Sequence, residues 1–203
     1  MQSLSEIDTT SKRASKAAGF SWGIAEEIGK AIRSLELFGL PGIINLNLYL
    51  KKIKKKHPEK VNKIEKENKT QNKELCPIYC GVAFLDQCKQ LEIIKTIKFY
   101  NVNYPLLIVP FISKASEILG KKILIQFNKS SFLINFNKSI LSKNIGKQID
   151  VLADEISIEC LENKNSFSDQ EWKELYKLSE ETFVKESESL KEKGAGAGLT
   201  DND

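Results

Sequence analysis

Residues able to do chemistry are scarce in this chain and fall into four groups: a glutamate pair, a cysteine trio, one histidine and an acidic end. Glu26 and Glu27 follow Ser21 and Trp22 and precede Lys30, the most compact polar cluster in the sequence. Carboxylates near the start of a helix complement the positive end of its macrodipole, which accounts for one of the two. The other is a candidate general acid or base, because an indole walling a pocket beside a carboxyl raises its pKa toward the useful range. Glu26 and Glu27 are therefore the candidate catalytic residues, and Trp22, Ser21 and Lys30 the candidate binding residues around them.

Cys76, Cys80 and Cys88 are spaced C-x3-C-x7-C, which matches neither the C-x2-C knuckle of zinc sites nor a common iron–sulfur spacing. Pro77 places Cys76 at a helix start, where a thiolate is favoured. The trio therefore reads either as a capping nucleophile or as small core residues. His57 is the single histidine and lies in the run Lys54-Lys55-Lys56-His57-Pro58, a solvated setting with no catalytic partner beside it. That removes Ser-His-Asp, Cys-His and histidine–zinc chemistry, each of which needs a positioned imidazole.

No G-x-x-x-x-G-K-[ST] loop occurs, and Gly194-Ala195-Gly196-Ala197-Gly198 follows a helical pattern rather than a strand, so it reads as a flexible linker. No metal or cofactor is expected. The tail ends Asp201-Asn202-Asp203, and Asp201, Asp203 and the terminal carboxylate put concentrated negative charge on a tether. Such an end is either disordered or docks into a basic groove of the same chain, a second protomer or a partner.

The formal net charge of +4 raises nucleic-acid binding, but Arg13 and Arg33 are the only arginines. Arginine supplies the bidentate contacts to phosphate and guanine, so the lysine excess reads as solvated surface and AT-rich codon usage. The longest apolar run, Tyr104 to Ile112, is about half the length a membrane helix needs. The N-terminus has an acidic residue where a signal peptide carries positive charge. Four cysteines without an export signal read as free thiols, so the expected location is cytoplasmic, away from membranes.

Ser3 and Glu6 are spaced as a capping box for a first helix, with Leu4, Ile7, Ala14 and Ala18 at helical intervals. Ser21 caps a second, whose stripe Ile24, Ile28, Ala31, Leu35 and Phe38 ends at Gly39. Ile43, Leu46, Leu50 and Ile53 form a third stripe. From Lys51 to Glu74 ten lysines and few apolar residues predict a solvated extension. Alternation then predicts four strands, over Leu91–Phe99, Ile123–Phe127, Phe132–Phe136 and Ile156–Cys160, the middle two joined by the four residues Asn128–Ser131. Pro105 to Leu119 reads as a buried crossover helix with Pro110 kinking it or marking its start. Ser168 with Glu171, and Phe167 with Trp172, announce a last helix by capping box and hydrophobic staple, its inner face Trp172, Tyr176, Phe183 and Leu190.

The expected fold is α+β: an N-terminal helical layer, a mostly antiparallel sheet of about four strands, and a long C-terminal helix packed across it. Residues 1–193 form one domain, including the extension at 51–74, and residues 194–203 a Gly/Ala-rich acidic tail.

Three segments carry a resemblance: Leu4-Ser5-Glu6-Ile7 with Gly19 to Glu27, Tyr104 to Phe111, and Gly194 to Asp203. Together they resemble a bacterial family of unknown function typified by alphaproteobacterial proteins. The resemblance implies that the Trp22–Glu27 segment and the tail belong to one pattern, and it brings no activity, fold or cofactor. The function expected is an accessory or binding subunit in bacterial metabolism, with a protein or a small polar metabolite as partner and self-association as an option. The alternative is a small metabolic enzyme acting on a polar organic metabolite through Glu26 or Glu27.

Overall fold

The Ser3 hydroxyl accepts from the Glu6 amide at 3.2 Å while the Glu6 carboxylate accepts from the Ser3 amide at 2.7 Å, so the capping box starts α1, Leu4–Ala17. The structure is a computed structural model that describes residues 2–53, 59–70, 74–136, 139–143, 150–162 and 165–182. Its chain divides into two compact units, Met1–Asn163 and Lys164–Asp203.

In the first unit, Ser21 caps α2, Trp22–Leu37, and Gly39, at φ +71°, lets the chain turn into α3, Gly42–Ile53. Helices α1 and α2 approach closely. A Cβ at Gly29 would lie 2.8 Å from the Asp8 backbone oxygen, so only glycine fits that crossing. The α1 residues turned inward are Ser11 and Ser15, small side chains suited to the short separation. Helix α3 is rotated from the expected stripe. Leu46 and Tyr49 are buried and Ile43 is exposed, because Tyr49 is drawn inward by a hydrogen bond that apolar spacing does not encode.

Beyond α3 come β1 (Glu67–Asn68), α4 (Pro77–Asp86), α5 (Gln90–Ile94), β2 (Thr96–Asn103), a 3-10 turn at Pro105–Ile108, α6 (Val109–Leu119), β3 (Lys122–Phe127), β4 (Ser130–Asn135), β5 (Ser139–Lys143) and β6 (Leu152–Leu161). Pro110 stands in the first turn of α6, so it marks a start rather than a kink. Within the lysine-rich stretch, Lys51–Ile53 close α3, Ile64 is buried and Glu67–Asn68 make β1.

The sheet runs β1-β2-β6-β3-β4-β5, with β1 parallel to β2 and the other neighbours antiparallel. It is a mixed sheet of six strands where about four, mostly antiparallel, are expected. The additions are β1, too short for alternation to reveal, and β5, Ser139–Lys143, whose Ile140 and Leu141 are adjacent and do not alternate. Leu91 and Ile93 belong to α5 and not to a strand: α5 ends at Lys95, whose φ of +67° reverses the chain into β2. The β3–β4 connection is two residues, Asn128 and Lys129, because Phe127 already pairs with Ser130 and Asn128 takes φ +49°.

Inward alternation puts Ile97, Phe99, Ile123, Ile125, Phe132, Ile134, Ile156 and Ile158 in the core, where α6 packs on β3 and β4 and α4 packs on β2 and α6. In the second unit Ser168 and Glu171 complete their capping box over α7, Asp169–Ser179, and Phe167 stacks on Trp172 at 5.6 Å. A 3-10 turn, Glu180–Thr182, follows it, and Phe183 and Leu190 lie outside the described residues. Among the described residues no helix is long and apolar enough to cross a membrane.

Candidate functional site

The helical period divides the glutamate cluster. Trp22 and Glu26 are four residues apart and share a stripe facing α1, where Lys12 donates to Glu26 at 2.7 Å and Lys12 and Lys16 lie over the Trp22 ring at 5.9 and 5.4 Å. Glu27 sits about 100° further round the helix, on the stripe of Lys30, Ala31 and Ser34. That stripe faces α6, and between them lies a half-open cleft of about 180 Å³ lined by Glu27, Lys30, Ala31, Ser34, Pro110, Phe111 and Lys114. Of the predicted residues, Glu27 and Lys30 are on the cleft. Trp22 and Glu26 belong to the α1 contact, and Ser21 is the helix cap. Asp201 and Asp203 lie outside the described residues.

Glu27 bridges two cations: Lys30 donates to Oε1 at 2.7 Å and Lys114 to Oε2 at 3.4 Å. Burial pushes its carboxyl up, but the hydrogen bond from Lys30 and the charges of Lys114 and Lys30 outweigh this, and the net direction is down. The Glu26 carboxyl is also lowered, first by the hydrogen bond from Lys12 and then by its charge. Both directions oppose the raised pKa expected beside Trp22. The indole faces the Lys12 and Lys16 ammonium groups of α1 instead of desolvating a carboxyl.

Sequence reasoning missed Lys114, Phe111 and Ser34. Lys114 is the only basic residue of α6, and a lone cation in a mostly apolar helix was the available signal. Two of the resembling segments, Gly19 to Glu27 and Tyr104 to Phe111, meet at this cleft through Glu27, Pro110 and Phe111.

The cysteines occupy the core. Cys76 caps α4, accepting from the Tyr79 amide at 3.4 Å and from the Tyr49 hydroxyl at 2.8 Å. Burial nevertheless pushes its thiol up to about 11, and raises Cys80, Cys88 and Cys160 as well. The helix-start position does not activate Cys76, because desolvation outweighs the hydrogen bonds. In the native full chain, iodoacetamide is expected to leave all four thiols unmodified over hours, with all four labelled in guanidinium; rapid native labelling of Cys76, read by mass spectrometry, would restore the nucleophile reading. Among the described residues no group of three or more His, Cys, Asp or Glu side chains could hold a metal ion.

A second polar cluster, unsuspected from sequence, closes the end of β2. Lys52 donates to Asn103 and to Glu74, each at 2.6 Å, and the Lys52 hydrogen bond lowers the Glu74 carboxyl. Next to it Tyr104, buried, takes φ 40°, ψ 62°, a left-handed conformation that costs a non-glycine residue roughly 1–3 kcal/mol.

The fold and the cleft define a small α+β protein with a lysine-bordered cleft between α2 and α6. Over residues 2–76 the chain matches the model of a family described as Protein of unknown function (DUF3726), which supports the resemblance to a family of unknown function at that level. The matched segment contains Glu27, Lys30, Ala31 and Ser34, one wall of the cleft. Comparison with curated proteins and with solved structures gives no match.

Proposed function

We propose that the chain is an accessory binding subunit of bacterial metabolism that holds a small polar metabolite in the α2–α6 cleft without converting it. The observation that carries this reading is the convergence of Lys30 and Lys114, from two separate helices, over a floor of Ala31 and Phe111. Small-molecule sites combine an apolar lining with a few convergent polar groups, and this cleft has both. The enzyme reading draws less support, since general acid catalysis favours a raised carboxyl pKa and both glutamates are lowered. Four free cysteines favour a reducing compartment, the cytoplasm.

The test is nitrogen–proton correlation NMR of the full chain, titrated with millimolar small acids, amides, amines and polyols. At least one chemical class is expected to move the amides of Lys30, Ser34, Phe111 and Lys114 together. A panel that leaves all four unmoved would end this reading.

A further inference from the structure

The ligand class can be narrowed on the premise that the cleft is a binding site. We infer that the cleft takes a small organic monocarboxylate, and that Glu27 occupies the ligand's anion position in the free protein. Two lysines face one carboxylate there, and the second is held at 3.4 Å, the long end of a hydrogen bond. The other acidic groups near Lys30 are engaged elsewhere: Glu26 on Lys12 at 2.7 Å and Asp8 against Arg33 at 4.0 Å. An incoming carboxylate therefore finds Lys114 under-used and Lys30 shared. Exposed ion pairs are weak, so Glu27 gives way readily.

Charge type and size follow from the same residues. Lysines act as point charges, and the cleft lining holds no arginine fork, which suits a monoanion better than a polyphosphate. Ala31, Pro110 and Phe111 offer an apolar bed for the ligand's body, and Ser34 a hydroxyl at its edge. The volume of about 180 Å³ is below that of drug-sized sites and close to that of cavities known to hold one benzene ring. A ring or short branched chain bearing a single carboxylate fits these limits.

The experiment uses benzoate as the probe and benzamide as its neutral analogue, titrated into the full chain and followed by NMR shifts at the cleft. Because Glu27 competes for the same cations, Glu27→Gln is expected to tighten benzoate binding about tenfold, as removing any self-occupied state does. Lys114→Ala is expected to weaken it by about as much, and benzamide to bind neither form. Should Glu27→Gln misfold, Glu27→Ala, which also removes the competing carboxylate, should give the same tightening. Unchanged or weaker benzoate binding in the glutamate variants, or benzamide binding as well as benzoate, overturns the monocarboxylate assignment while the cleft stands as a site. A cleft silent to every compound of the wider panel removes the site and the assignment together.

Discussion

Replacing Phe99 by alanine is expected to lower the unfolding free energy by about 3–5 kcal/mol, the range for emptying a fully buried aromatic site. Phe99 is completely buried on β2, opposite Asn68 of β1 on one side and Ile156 of β6 on the other. Neighbours held on both sides by ladder hydrogen bonds cannot collapse into the vacated volume, which puts the cost at the upper part of that range. Against a typical domain stability of about 5–15 kcal/mol this would leave many copies partly unfolded at 37 °C. Urea denaturation of the two proteins side by side measures it, and a loss below about 1 kcal/mol would contradict the central position assigned to β2.

Gly81→Val is the second large effect and acts by overfilling. A Cβ at Gly81 would overlap the Phe111 ring, meeting Cγ at 2.6 Å, and Phe111 is itself buried with nowhere to retreat except toward the cleft. Overpacking a close-packed site costs about 1–3 kcal/mol, and a branched side chain in a helix returns little through propensity. A loss near 3 kcal/mol is expected, accompanied by displaced Phe111 and Lys114 resonances. Gly81→Ala is milder because its better helix propensity offsets part of the clash by about 1 kcal/mol. A Gly81→Val protein as stable as the parent, with unmoved Phe111, would show that α4 and α6 are not in the close contact described.

These two positions differ in how well sequence reasoning could find them. Phe99 was legible: its alternation with Ile97 marks an inward face, and period-two burial is local information. Gly81 was not, because a glycine's partner across a helix pair is decided by where α6 falls, thirty residues later in the chain. The capping boxes at Ser3 and Ser168, the Ser21 cap and the first three helices were likewise readable, since capping acts within one turn, whereas at Pro110 a kink and a start were both open. Strand β1 was hidden by brevity, and β5 by its adjacent Ile140 and Leu141, which give no alternation. The rotation of α3 was hidden because Tyr49 is held by Cys76 across 27 residues of sequence.

The candidate site divides along the same line. Sequence reading left carboxylates as the principal catalytic candidates, and it placed Glu27 and Lys30 one turn apart on one helix. Only the tertiary structure decided what those residues do. The helical period turned Trp22 and Glu26 toward α1, and α2–α6 packing brought Lys114 to Glu27 across 87 residues, making a candidate acid into a paired carboxylate. A side chain's protonation and partners depend on the charges within a few ångströms of it, and proximity of that kind is a property of the folded chain.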